Sequence, residues 1–280
     1  GIFQTPSLVA NIAGSPAWML AAWVLGGVLS FIGALTYAEL ATTYPSAGGD
    51  YSFLTRAYGR DVSFLFAWAR SLVIVTGSIA LLGFILGDYL TRLFSLGPYS
   101  SAIYAGLAVL VLTAVNLIGL RSSSRMQNVL TILEIGGVLF VAAAGFMVDP
   151  PQAVASTTES SVSIGAMGLA MVFVLLTFGG WNEAAYVSAE VRGGPRAVLT
   201  SLLLSIAIVT LVYLVFVIGV THGLGFDGLK QSEALGVDVV QRAVGERGSQ
   251  IIGIVVAIAA LTSMNSTMLV GARTNYSVAH

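Results

Sequence analysis

Apolar residues in this chain run in long unbroken stretches rather than at amphipathic spacing, and that pattern predicts helices that cross a membrane. Stretches of roughly 20 residues or more cover about 17–42, 62–92, 100–120, 126–148, 163–191, 196–222 and 248–274. Residues 1–14 read as half a span, giving seven whole spans and one partial. Between them, 45–59 (PSAGGDYSFLTRAYG) holds a glycine turn and then Tyr51, Leu54 and Tyr58 at helical spacing, which predicts a short helix at the membrane interface. The Pro-, Ser- and Thr-rich loop 149–162 is expected to be flexible. Leu229, Leu235, Val239 and Val240 among the charges of 223–247 predict helical pieces that cap the outer face.

Composition strengthens this picture. The chain has 280 residues, 56% hydrophobic and 9% charged, and its mean hydropathy is +0.91. Soluble domains carry about a quarter charged residues, so the chain reads as one multi-pass transmembrane domain over 1–280. A net charge of −1 argues against a nucleic-acid partner. With no cysteine, thiol catalysis and thiolate metal sites are excluded. With only two histidines, His222 at a span end and His280, histidine metal sites or relays are not expected, and neither residue is placed to serve an intramembrane enzyme. The chain opens on Gly1-Ile2-Phe3, already apolar and without a charged leader, and reads as part of a longer protein. Arg56, Arg60, Arg121, Arg125, Arg192, Arg196 and Arg273 fall in alternate loops, which predicts that side to be cytoplasmic. Asp88, Asp149, Glu159, Asp227, Glu233, Asp238 and Glu246 fall on the other.

One stretch departs from the spanning pattern. In 173–195 (FVLLTFGGWNEAAYVSAEVRGGP) two glycines, an indole, an amide and a carboxylate arrive where a helix should be mid-bilayer. Unpaired backbone groups there cost several kcal/mol each, so a break is expected only where it lines a cavity. A half-helix ending at Thr177, Phe178 and Gly179 would offer free carbonyls to an ammonium group. Phe178 or Trp181 could close over a solute, and Asn182 and Glu183 are further pocket candidates. The blander reading, glycines as a helix-packing surface, does not explain Asn182 and Glu183, but it does suit Gly83 and Gly87.

At the N-terminus, Gly1-Ile2-Phe3-Gln4-Thr5-Pro6 reads as a helix start, with Thr5 as N-cap and Pro6 at the first helical position. Its free amides and positive dipole end would suit a carboxylate; the plain alternative is an ordinary helix kinked at Pro6. Glu134 lies inside the fifth half-or-whole span with no base beside it, a functional candidate by default. It could carry a proton, hold a cation with oxygens from Ser263, Asn265, Ser266 or Thr267, or be a protonated structural group. Glu39, Arg70 and Glu190 lie nearer the helix ends, where snorkelling or local ion pairs account for them.

Four segments, GIF-x-[ST]-P at the start, ELATTYPSAGGDYSFLTRAYG at 39–59, FGGWNEAAYVSAEVRGGPR at 178–196 and NSTMLVGARTNYSVA at 265–279, together resemble the amino acid–polyamine–organocation permeases, in their L-type amino acid transporter branch. The resemblance runs in order over nearly the whole chain. It implies an all-α integral membrane protein of the LeuT-like inverted-repeat fold, here incomplete, from half of helix 1 through helix 8. The first repeat would then be 1–162, including the loop after it, and the second 163–280. It also implies a secondary active transporter of amino acids or related amines, working as antiporter or symporter in the cell membrane, its N-terminal side cytoplasmic. The backbone of Gly1, Ile2 and Phe3 would bind the substrate carboxylate, and Thr177, Phe178 and Gly179 would take the amine and line the side-chain pocket. Where many members carry a lysine, this chain has Glu134, so coupling to protons or to sodium stays open. No other cofactor is implied, and no accessory subunit can be named. A sensor or structural membrane protein on the same fold is the alternative.

Overall fold

The computed structural model describes residues 1–46, 48–151, 163–190, 194–232, 234–245 and 247–279. Most of the loop 149–162 (from residue 152), and Glu159, Arg192, Glu233, Glu246 and His280, lie outside the described residues, as do the side chains of Arg121 and Glu190.

The described residues are helical with short connections and contain no strand. In chain order the helices are α1 (Thr5–Ala13), α2 (Pro16–Thr43), α3 (Asp50–Tyr58) and α4 (Arg60–Ala69). A widened π-helical stretch, Arg70–Val75, leads into α5 (Thr76–Leu93). Then come α6 (Ser100–Ile118), α7 (Leu120–Met147), α8 (Ile164–Phe178), a 3-10 stretch at Trp181–Glu190, α9 (Gly194–Gln231), α10 (Leu235–Val244) and α11 (Arg247–Ala279). Among the described residues seven helical segments are long and apolar enough to cross a membrane, and they fall on the seven spans expected from the apolar runs. The interfacial helix expected in 45–59 is α3, and the capping pieces expected in 223–247 include α10.

Three details differ from the sequence reading. Gln4, not Thr5, is the N-cap of α1; Thr5 is its first residue and Pro6 its second. The span 62–92 is one helix interrupted by the π stretch, where one extra residue per turn rotates the helix face. The span expected to end at 222 continues to Gln231 through a kink at Gly225, whose φ of 71° only glycine adopts readily.

The chain forms two compact units. The first comprises Gly1–Ala34, Ile135–Trp181 and Leu203–Ile252. Here the Ser7 hydroxyl donates to the Ser232 carbonyl at 3.0 Å and the Asn11 amide to the Lys230 carbonyl at 2.8 Å, so α1 is tied to the chain at the end of α9. Gly145, Gly219 and Gly223 let α7 and α9 approach backbone to backbone, the small-residue packing of membrane bundles.

The second unit comprises Leu35–Glu134, Asn182–Leu202 and Gly253–His280. Leu86, Ala108, Leu112, Ala257, Ala260 and Met264 form an apolar cluster between α5, α6 and α11. Beside it lies a run of amides centred on the buried Asn265. Asn116 Nδ2 donates to Asn265 Oδ1 at 3.0 Å, Asn265 Nδ2 to Gln127 Oε1 at 2.7 Å, and Ser123 Oγ to Asn116 Oδ1 at 2.8 Å. Gly83 and Gly87 are packing glycines: a Cβ at Gly83 would press on Ala105, and one at Gly87 would run into the backbone of Ser101.

Backbone atoms cannot step aside, so Gly87→Ala should destabilise the full-length protein by about 1–3 kcal/mol. Gly106→Ala, where an added Cβ meets nothing, should be neutral or slightly stabilising. Thermal unfolding of both variants in detergent checks this; equal melting temperatures would show that α5 and α6 are not packed through Gly87.

Candidate functional site

In the first unit α1 and α8 lie side by side, and a hydroxyl bridge joins them near the two places where helical bonding stops. Thr177 Oγ1 is 2.9 Å from Thr5 Oγ1 and equally 2.9 Å from the Phe173 carbonyl. Its single proton serves one of the two acceptors at a time. Thr5 Oγ1 in turn donates to the Gly1 carbonyl at 3.0 Å. That carbonyl also accepts the amides of Gln4 and Thr5, at 3.0 and 3.1 Å, which closes residues 1–5 into a tight turn. The Ile2 and Phe3 amides find no acceptor among the described residues. They stand at the positive end of the α1 dipole, the arrangement that favours an anion.

The α8 end is built to match. Its last carbonyls have no partner within the helix, and that of Thr177 receives the Tyr213 hydroxyl of α9 at 3.2 Å. Gly179 follows in extended geometry, and Gly180 takes a φ of 109°, which strains any side-chain-bearing residue. The position that demands glycine is therefore Gly180, whereas Gly179 is exposed and leaves its backbone accessible.

Around this point sits an aromatic cluster. Phe178 is buried, with its ring 5.1 Å from Tyr213 and 6.1 Å from Trp23; Trp23 and Tyr213 are 6.0 Å apart. Phe3 packs edge-on against Phe216 at 5.5 Å. Trp181 lies against α2, where its ring fills the space a Cβ at Gly33 would need. Gly1, Ile2, Phe3, Thr177, Phe178, Gly179 and Trp181 thus share one unit, and the start of α1 neighbours the break after α8. Trp23, Tyr213 and Phe216 were not singled out in the sequence, because aromatic residues inside apolar helices carry no signal that separates a site wall from ordinary core.

Asn182 and Glu183 belong to the second unit. The half-buried Asn182 side chain makes no hydrogen bond to a described residue. Glu183 is taken up by Arg70, the first residue of the π stretch: Arg70 Nη2 donates to its two carboxylate oxygens at 2.8 and 2.7 Å. Beside this pair the Arg70 guanidinium lies over the Tyr186 ring, 4.7 Å from its centre. The Tyr186 hydroxyl donates to Asp50 Oδ2 at 3.0 Å, and Tyr37 also reaches Asp50. Arg273 Nη1 donates to the Tyr186 carbonyl at 3.1 Å. Gly49 permits the arrangement twice over, with a φ of 46° and with its Cα against the Tyr186 ring.

Glu134, also in this unit, lies near Thr262 of α11, whose hydroxyl donates to the Ile258 carbonyl at 2.9 Å. Thr262 was missed in the sequence, where Ser263, Ser266 and Thr267 were the candidates. Thr267 gives its hydroxyl to the Ser263 carbonyl within α11, and Asn265 is committed to the amide run.

An all-α, multi-pass membrane protein whose α1 start is bonded to the broken helix end at α8 has the form of a permease. The chain matches the amino acid permease family over residues 1–280, and it belongs to that family. It is 28% identical to the human b(0,+)-type amino acid transporter 1, an alignment covering 99% of this chain and 58% of that protein. It is 30% identical to the rat large neutral amino acids transporter small subunit 2, covering 98% and 53%. With the serine/threonine exchanger SteT of Bacillus subtilis (strain 168) it shares 26% identity, covering 100% and 64%. The chain thus spans less than two thirds of the length of these relatives.

Removing one partner of a buried ion pair strands the other charge, so Arg70→Met should cost the full-length protein about 3 kcal/mol, toward the low end because Glu183 keeps some solvent access. Arg70→Met combined with Glu183→Met should recover most of that loss in a thermal-shift cycle. Additive losses would show that the two side chains do not act as a pair.

Proposed function

We propose that the protein carrying this chain is a secondary transporter that moves amino acids or related amines across the cell membrane by alternating access. The observation that carries this reading is the Thr5–Thr177 bridge, which ties the start of α1, with its open Ile2 and Phe3 amides, to the end of α8. A zwitterion entering an apolar interior loses the hydration of both its charges. Amides at the head of α1 replace water at the carboxylate, and carbonyls at the end of α8 replace it at the ammonium group. On this reading Gly1, Ile2 and Phe3 hold the carboxylate through their backbone. Thr177, Phe178 and Gly179 hold the amine, with Phe178 and Trp181 walling the side-chain pocket. Family membership and the names of the relatives support the same substrate class.

Glu183, neutralised by Arg70, is not an open charge for a cationic substrate, which favours neutral amino acids. Glu134 is the coupling candidate, because it is a carboxyl inside a membrane span that forms no ion pair with a described side chain. The cytoplasmic side is the one that carries the arginine-rich loops.

Labelled uptake into proteoliposomes of the full-length protein, over a panel of amino acids and polyamines, tests the proposal. Neutral amino acids should accumulate. Gly180→Val should abolish uptake while expression persists, and Thr177→Val should weaken it about tenfold, the equivalent of about 1.4 kcal/mol. If a proton or sodium gradient drives uptake, Glu134→Gln should remove that dependence. Counterflow indifferent to both gradients would make the protein an exchanger with Glu134 structural. Solute binding without counterflow, or no uptake of any amine-bearing solute, would overturn the transporter reading.

A further inference from the structure

Within the second unit a groove of about 290 Å³ runs between the end of α2 and the start of α9. Leu35, Ala38, Glu39 and Thr42 line it from α2, at a spacing that sets them on one helical face; Arg196 and Leu199 line it from α9. Two features make this groove more than a gap between helices. Its carboxylate and its guanidinium are both exposed, yet neither forms an ion pair or hydrogen bond with the other or with any described residue. Its walls are apolar and bare, Leu35 being 43% and Leu199 38% exposed. Snorkelling accounts for one charge at a helix end; it does not account for opposite charges that share a groove without closing on each other.

The groove also sits where lipid headgroups lie. Arg196 is the first residue of one membrane span, and Glu39 is within a turn or so of the end of another. We infer that this groove is a binding site for a zwitterionic phospholipid with a primary ammonium headgroup, a phosphatidylethanolamine. Its phosphate pairs with Arg196, its ammonium donates hydrogen bonds to Glu39, and the start of an acyl chain covers Leu35 and Leu199. An anionic headgroup satisfies Arg196 but sets its charge against Glu39. A choline headgroup carries the positive charge but has no N–H to donate. A free amino acid has both charges and nothing for the leucines. The inference needs only the membrane setting, so it stands or falls apart from transport.

Native mass spectrometry of the delipidated full-length protein, titrated with phosphatidylethanolamine, phosphatidylcholine or phosphatidylglycerol of identical acyl chains, tests it. The wild type should retain one more phosphatidylethanolamine than the Glu39→Gln/Arg196→Gln double variant. Each single variant should weaken that binding about tenfold, and the order of affinity should place phosphatidylethanolamine first. Both residues are exposed, so the variants should fold; circular dichroism and melting temperature confirm it. Equal occupancy in wild type and variants overturns the site. Phosphatidylglycerol binding as tightly, with Glu39→Gln inert, would leave only an anion-attracting arginine and overturns the headgroup assignment. Soluble phosphoethanolamine competing as strongly as the whole lipid overturns the role of the leucines.

Discussion

Backbone hydrogen bonding in an apolar medium is the constraint on which this structure depends. Within hydrocarbon a helix satisfies its own amides and carbonyls, and every interruption must find substitutes. The start of α1 and the break after α8, both in the first unit, find different ones. At the head of α1 the Gly1 carbonyl gathers the Gln4 and Thr5 amides together with the Thr5 hydroxyl, leaving the Ile2 and Phe3 amides open. At the end of α8 the Tyr213 hydroxyl takes the Thr177 carbonyl, and Gly180 turns the chain away at a φ of 109°. Partial satisfaction holds the breaks in place, and the groups left over are those a zwitterion would use.

The second unit solves a related problem with side chains. Two carboxylates, the buried Asp50 and the half-buried Glu183, would be costly without partners. Glu183 is met by the Arg70 guanidinium, and Asp50 by the Tyr186 and Tyr37 phenols. The solution is incomplete: Asp50 Oδ1 and Arg70 Nε are buried with no hydrogen-bond partner among the described residues. A network with spare donors and acceptors is less stable than a saturated one, and correspondingly easier to rearrange. The amide run through Asn116, Asn265, Gln127 and Ser123 has its principal donors and acceptors paired, which makes it a fixed joint between α6, α7 and α11.

Apolar run length alone was enough to read the seven spans, because roughly 20 residues of helix match the hydrocarbon thickness whatever the helices pack against. The break near Gly179 and Gly180 was legible for a similar reason: polar residues and paired glycines mid-span conflict with a bilayer locally, without reference to tertiary contacts. The small-residue spacing of Gly83 and Gly87 likewise announced a close helix approach. What such signals lack is direction. A period of 3.6 residues per turn says which residues share a face, but not which helix that face meets.

Direction is what the tertiary structure decided. It chose Arg70 as the partner of Glu183, 113 residues away in sequence, where each charge alone read as an independent feature. It put Thr262 rather than Ser263, Ser266 or Thr267 beside Glu134, since one step along a helix turns a side chain by about 100°. It moved the cap of α1 from Thr5 to Gln4, because the Thr5 hydroxyl is engaged by the Gly1 carbonyl and by Thr177. Composition and run length thus determined a multi-pass helical membrane protein with a broken helix near residue 180. The pairings that make that break a site depend on helix rotation and crossing, which are set by packing between segments distant in sequence.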